Sequence, residues 1–256
     1  DLSPTGRGEK GTTMTERKRA DVLLVERGLF ESRARAQAAI EAGLVTANGK
    51  VIAKVSESIP VDADISAEPA HPWVSRGGVK LAAALEHYPL DIEDHVCVDV
   101  GASTGGFTEV LLNNGASLVY AIDVGHGQLH PSLRGHPQIV SMENTDIRSL
   151  EGKRLDIRPD VVVIDVSFIS LKLVLPAVLS LAAAPMHLLA LIKPQFEAGR
   201  EHVRKGVVRD AAVHRAVCDD IAAFVASQGG TGIEVFPSQI AGGDGNAEFF
   251  IGARRG

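Results

Sequence analysis

The sequence predicts an α/β protein: a mostly parallel sheet covered on both faces, with an antiparallel last pair of strands and a small α+β module in front. Three observations carry this. Apolar runs at 96–100, 118–122, 139–142, 161–164 and 188–192 are separated by helical stretches, and continuous apolar strands between helices belong to parallel sheets buried on both sides. The strands expected at 233–236 and 247–251 follow each other closely. They leave no room for the crossover of about a dozen residues that a parallel pair requires. Residues 16–68 have another rhythm, two short helices and then short strands.

Composition narrows the class. The chain has 256 residues, 45% apolar and 23% charged, which excludes a mainly disordered protein. Its longest apolar stretch, 173–192, is broken by Pro176, Ser180, Pro185 and His187. A membrane span needs about 20 unbroken apolar residues. No basic start leads into an apolar run, so no secretory signal is expected, and the protein reads as cytoplasmic. Residues 1–15 read as a tail, a tag or a misplaced start around Met14. Cys97 and Cys218 stand far apart in apolar segments and read as reduced core thiols; no metal site is expected. The net charge of −6 divides into −1 over residues 1–70 (10 Lys/Arg, 11 Asp/Glu) and −5 over 71–256 (16 and 21). Any RNA contact must therefore use local basic patches.

In the module at 16–69, a helix is expected over 20–27 and ends at Gly28. Ser32 is a good N-cap for a second helix running to Ala42, with Gly43 past its end. Asn48-Gly49 between 44–46 and 51–53 is a strong hairpin signal. Basic residues cluster in front: Arg17, Lys18 and Arg19, then Arg27, Arg33 and Arg35. Arg33 and Arg35 lie near a helix N-terminus, where the dipole disfavours cations. An external anion such as an RNA phosphate explains that placement; the alternative is a solvated surface paired with Glu16, Glu26, Glu31 and Glu41. Residues 70–78, with Pro72 and Gly77-Gly78, read as a linker anchored by Trp73, and the larger domain is expected over 79–256 from a helix at 79–86.

The loop Asp99-Val-Gly-Ala-Ser-Thr-Gly-Gly-Phe107 joins the first strand of that domain to a helix, where ligands bind in doubly wound sheets. Gly101 permits a tight turn, and Gly105 and Gly106 let backbone and ligand approach. Asp123, at the end of the next strand, is placed to accept both ribose hydroxyls of an adenosine. A dinucleotide fingerprint needs a second Gly where this chain has Ser103, and no Walker Lys follows. S-adenosylmethionine has no pyrophosphate and tolerates Ser103, and its ammonium and sulfonium suit Asp99. With the antiparallel last pair this favours a methyltransferase. Asp146, after the third strand, is either an acceptor for the adenine amino group or a helix N-cap. Asp165 and Lys193 end two adjacent central strands, as a strand-end ion pair or as catalytic groups; Pro194 keeps Lys193 extended.

Ser32-Arg-Ala-Arg-Ala-Gln-Ala-Ala-Ile-Glu-Ala-Gly-Leu-Val-Thr-Ala-Asn-Gly49 resembles the core of S4 RNA-binding domains. Trp73-Val-Ser-Arg-Gly-Gly-Val-Lys80, Asp99–Phe107, Asp123-Val-Gly-His-Gly-Gln128, Asp165-Val-Ser-Phe-Ile-Ser170, Lys193-Pro-Gln-Phe-Glu197 and Gly245-Asn-Ala-Glu248 resemble the FtsJ-like 2′-O-ribose methyltransferases. The whole is similar to the haemolysin A (TlyA) family of ribosomal RNA methyltransferases. The resemblance implies a Rossmann-like methyltransferase sheet, S-adenosyl-L-methionine as cofactor, and ribosomal RNA or ribosomal subunits as partner. It puts the cofactor on Asp99, Gly101, Ser103, Gly105, Gly106, Phe107, Asp123 and Asp146, the last an Asp where related chains often carry Asn. It puts a catalytic tetrad on Lys80, Asp165, Lys193 and Glu248. Lys193 then serves as general base or steadies the forming alkoxide, with Lys80 as a neighbouring cation, Asp165 orienting Lys193, and Glu248 positioning Lys80 or the ribose. RNA is expected on Arg17, Lys18, Arg19, Arg33 and Arg35 and on Arg200, Arg204 and Lys205, unless Glu197, Glu201 and Asp210 neutralise the second group. Rival readings are an assembly factor with an inactive methyltransferase fold, a small-molecule O-methyltransferase, and a membrane-active haemolysin, for which no span or strongly basic amphipathic helix is present.

Overall fold

The computed structural model describes residues 16–150, 155–242 and 245–256, so the reading of residues 1–15 lies outside the described residues. The chain forms two compact units that divide between Pro72 and Trp73.

The small unit runs β1 (Arg17–Arg19), α1 (Ala20–Glu26), α2 (Arg33–Glu41), β2 (Val45–Ala47), β3 (Lys50–Val51), β4 (Ser58–Pro60) and β5 (Ile65–Ala67). Ser32 caps α2 by accepting the Arg35 N–H at 3.3 Å. Asn48 and Gly49, at φ +50° and +75°, close the β2–β3 hairpin in the mirror-image turn that matches strand twist. β1 pairs antiparallel with β4, so Arg-Lys-Arg is a strand; its charges hid it from a hydrophobic-pattern reading. Leu23, Leu24, Phe30, Ile40, Val45 and Ile59 fill the core.

The large unit begins with α3 (Arg76–His87), so the expected linker ends in a first helical turn rather than at residue 79. Gly78 was read as loosening the chain; it instead lets α3 approach its neighbour. A Cβ there would lie 2.5 Å from the Trp73 Cβ and 3.2 Å from the Gly106 carbonyl. Then come β6 (Val96–Val100), α4 (Gly106–Asn113), β7 (Leu118–Ile122), β8 (Ile139–Met142), β9 (Val161–Ile164), α5 (Leu171–Leu181), β10 (Met186–Ile192), α6 (Pro194–Glu197), α7 (Ala211–Ser227), β11 (Thr231–Pro237) and β12 (Phe249–Arg255). The seven strands are ordered β11-β12-β10-β9-β6-β7-β8. β8 to β10 are parallel; β12 lies antiparallel between β10 and β11, as the missing crossover required. β12 starts at Phe249, so Glu248 precedes the last strand rather than lying on it.

All four residues of β9 are completely buried. Each such aliphatic side chain contributes roughly 1.5–3 kcal/mol of hydrophobic stabilisation. One face of the sheet packs on α5 and α7 through Leu175, Val178 and Ile221, the other on α3 and α4 through Leu81, Phe107 and Leu111. Cys97 and Cys218 are free and buried, and burial pushes their thiols up to about 12 and about 11, as expected of inert core thiols. No helix among the described residues is long and apolar enough to cross a membrane.

Candidate active site

Four parallel strands pass directly into the residues of interest: Gly101 follows β6, Asp123 follows β7, Asp165 follows β9 and Lys193 follows β10. From β6 the chain goes to β7 on one side and later returns to β9 on the other, so the crevice between the carboxyl ends of β6 and β9 is the topological switch point. An open cavity of about 880 Å³ lies there, walled by Ser103, Asp123, Asp146, Phe168 and Leu173. A second, of about 290 Å³, is walled by Ser75, Arg76, Gly106 and Lys193. Both include Gly101, Ser103, Asp165 and Ser167, so they are lobes of one cleft.

The loop after β6 is shaped by close approach. Gly101 sits at φ +87°, and a Cβ on it would lie 2.4 Å from the Asp165 carbonyl oxygen. Ser103 adopts φ +48° and donates its N–H to Asp123 Oδ2 at 2.8 Å, while Gly125 donates to Asp123 Oδ1 at 2.6 Å. Each carboxylate oxygen thus has one backbone donor and keeps a lone pair for a ribose hydroxyl. Phe168 and Leu173 expose 91% and 59% of their surface at the larger lobe, an apolar wall that a planar base would cover. These residues fit an adenosine-bearing cofactor.

The other residues expected at the cofactor divide between the cleft wall and the core. Asp99 is fully buried, accepts from the Thr108 hydroxyl at 2.7 Å and lines neither lobe. Burial pushes its carboxyl up to about 7. The Cβ position at Gly105 is filled by Leu133 and Leu129, and that at Gly106 by Ser75 and the Gly78 backbone. Gly105 is packed against the loop that carries Leu129 and Leu133, and Gly106 lets α4 approach α3 while lining the smaller lobe. Phe107 is a core residue stacked on Phe250, only edging the smaller lobe. Asp146 caps a 3₁₀ turn by accepting the Arg148 N–H at 2.9 Å and is forked by the Arg148 guanidinium, with contacts of 2.6–3.1 Å. That guanidinium holds the carboxyl below its ordinary range; the residue caps the turn and also lines the larger lobe.

The tetrad resolves into two ion pairs. Lys193 Nζ lies 2.6 Å from Asp165 Oδ1 and donates to the Ser167 hydroxyl at 2.8 Å. Lys80 Nζ lies 2.6 Å from Glu248 Oε2; both side chains are nearly inaccessible, and neither lines a lobe. Lys80 therefore brings its own counter-charge and is not a bare cation beside Lys193. Sequence reading missed Ser167, although a hydroxyl two residues past a strand-end acid was the available signal. It also missed Glu143, which follows β8 and accepts the N–H groups of Gly127, Gln128 and Leu129, fixing the loop beside Asp123.

The basic residues divide. Arg19 and Arg33 both grip Asp21, a fully buried acid not foreseen as a partner, at 3.0 and 2.6 Å. Lys18 pairs with Glu26, one of the acids foreseen. Arg17 donates to the Ser58 carbonyl. Arg35 lies in the first turn of α2. At the end of α6, Glu197 turns inward to accept from Ser170 and Leu171, and Asp210 caps α7. Two of the three acids expected to neutralise Arg200, Arg204 and Lys205 are thus engaged elsewhere, and those three cations are exposed.

A Rossmann-like sheet with one antiparallel strand inserted near its edge, an acid after β7 and a lysine–aspartate pair at the switch point define a methyltransferase. The family described as FtsJ-like methyltransferase matches residues 73–255, and the S4 domain matches residues 18–65. "Putative rRNA methyltransferase YqxC" of Bacillus subtilis is 45% identical over 243 residues, 93% of this chain and 86% of that protein. "16S/23S rRNA (cytidine-2'-O)-methyltransferase TlyA" of Mycobacterium tuberculosis is 42% identical over 246 residues, 94% of this chain and 91% of that one. The solved structure "Putative hemolysin from Streptococcus thermophilus" superposes with a TM-score of 0.75 at 41% identity, covering 94% of this chain and 89% of that chain. The chain belongs to the FtsJ-like methyltransferase family and carries an S4 domain.

Proposed function

We propose that this methyltransferase acts in the cytoplasm on ribosomal RNA, transferring a methyl group from S-adenosyl-L-methionine to a ribose 2′-oxygen. The observation that carries the reading is the buried Lys193–Asp165 pair, tied to Ser167, in the wall of a cleft whose other lobe suits an adenosine. The relatives named as rRNA methyltransferases, one of them a cytidine-2′-O enzyme, support the choice of substrate.

When bound, the cofactor supplies a methyl group on a sulfonium. Asp123 and the backbone of Ser103 hold its ribose end, and Phe168 and Leu173 cover its base. In the smaller lobe, Lys193 donates to Ser167 and stands 2.6 Å from Asp165, and its ammonium steadies negative charge on the 2′-oxygen as the proton leaves. The Asp165 carboxylate, beside Lys193 in the wall of both lobes, is placed to take that proton. The Lys80–Glu248 pair braces the wall behind. Holding oxygen and methyl carbon in line supplies a large part of the acceleration. The S4 domain and the exposed Arg200, Arg204 and Lys205 hold the RNA backbone, which makes binding steeply salt-dependent.

The test is transfer of labelled methyl from S-adenosylmethionine to purified ribosomal subunits, with Lys193→Ala alongside. Label is expected in RNA, with the rate falling by roughly 10²–10³-fold or more in the variant while cofactor affinity is kept. An unchanged rate would remove Lys193 from the mechanism. Cofactor binding with no label in either subunit would favour the inactive assembly factor.

A further inference from the structure

We infer that Asp21 is a positioning residue for RNA: it fixes Arg19 and Arg33 as a rigid pair whose outward guanidinium edges take phosphate oxygens of the RNA. This rests on the reading that the small unit binds RNA. Asp21 is completely buried, whereas the side chains of Arg19 and Arg33 remain 50% and 56% exposed. Arg19 reaches it through Nε at 3.0 Å and Nη2 at 3.2 Å, Arg33 through Nε at 3.1 Å and Nη2 at 2.6 Å, and Gln37 adds an amide at 3.0 Å. Both arginines spend their side edge on Asp21. The end-on fork of Nη1 and Nη2 stays available on each, and that fork matches a phosphate in bidentate geometry.

The charges do not close within the cluster. One carboxylate serves two guanidiniums, leaving an excess of one positive charge, and the two cations repel each other. Arg33 is also the first residue of α2, where the helix dipole disfavours a cation. A purely structural anchor for Asp21 needs one arginine; the second is explained by an anion outside. Fixing long side chains in advance removes the ordering cost that weakens flexible basic patches.

Bulk electrostatics and positioning predict opposite signs for one substitution. Asp21→Asn makes the protein more positive, so a charge effect alone strengthens RNA binding. Positioning predicts that the full-length variant binds purified ribosomal subunits about fivefold more weakly. It also predicts a slope of log Kd against log salt shallower by about one. Arg33→Lys, which keeps charge and leaves Asp21 paired with Arg19, is expected to weaken binding about threefold. It serves as the independent reading should Asp21→Asn fold poorly. Arg19→Gln/Arg33→Gln weakens binding further, and adding Asp21→Asn to it changes nothing more. Equal or tighter binding by Asp21→Asn, or no effect of Arg33→Lys, overturns the positioning role while leaving RNA binding standing. No effect of the double glutamine variant overturns the underlying reading at these residues, and the proposal with it.

Discussion

The small unit and the large unit both bury acids against basic side chains, but they balance charge differently. In the large unit the count is one to one: Lys193 with Asp165 at the cleft and Lys80 with Glu248 outside its lining, each pair at 2.6 Å and each largely hidden from solvent. In the small unit one hidden carboxylate holds two half-exposed arginines. A balanced buried pair has little net field at a distance and keeps its groups fixed, which suits chemistry on a single oxygen. An unbalanced, outward-facing cluster retains net charge, which suits binding to a polyanion. Asp99 is a third case: fully buried, bonded to Thr108, with no cation among the groups acting on it.

The largest expected effect comes from unbalancing the buried pair. Lys80→Ala strands Glu248 as an uncompensated buried charge and should cost about 3–5 kcal/mol in denaturant melts. Replacing both partners, Lys80→Met with Glu248→Leu, should recover most of that stability while methyl transfer stays impaired. If the double replacement restores full activity, the pair is scaffolding only. A smaller change is expected of Asp99. Its carboxyl is raised to about 7, so the unfolded chain loses the proton at lower pH than the folded one. The contribution of Asp99 to stability is therefore greatest at acid pH, falls as pH rises from about 4 towards 7, and is level above. Between pH 5 and pH 8 the wild-type protein should lose about 3 kcal/mol more than Asp99→Asn. Parallel pH profiles of the two melts would contradict the burial argument. The smallest effect belongs to the unbalanced cluster: Arg33→Ala leaves Asp21 paired with Arg19 and Gln37, and the lost partner is half in solvent. Its cost should be about 1 kcal/mol.

The contrast also explains what could be read from the chain. Gly101, Asp123, Asp165 and Lys193 were legible because each directly follows an apolar strand, and the carboxyl edge of such a sheet is where ligands sit. The antiparallel insertion was legible from a connection too short for a helix. Side-chain direction was not. Asp99 lies in a strand buried on both faces, so alternation does not say whether it faces the cleft or the core. Asp21 was overlooked because its partners Arg33 and Gln37 come from another helix, and a charge pattern read along the chain reports only neighbours. Gly78 and Gly106 were read as loop residues because their purpose, backbone contact between α3 and α4, exists only once the helices pack. The grip of Arg148 on Asp146, two residues back, was not legible either, because a charge pattern does not say which way the two side chains turn.

The most direct measurement is the chemical identity of the methylated product. Ribosomal RNA from subunits treated with the wild-type enzyme and labelled S-adenosylmethionine would be digested to nucleosides and resolved by mass. The predicted result is a 2′-O-methylated nucleoside that is lost with Lys193→Ala. A methyl group on a base would contradict the assignment of the Lys193–Asp165 pair to a ribose oxygen.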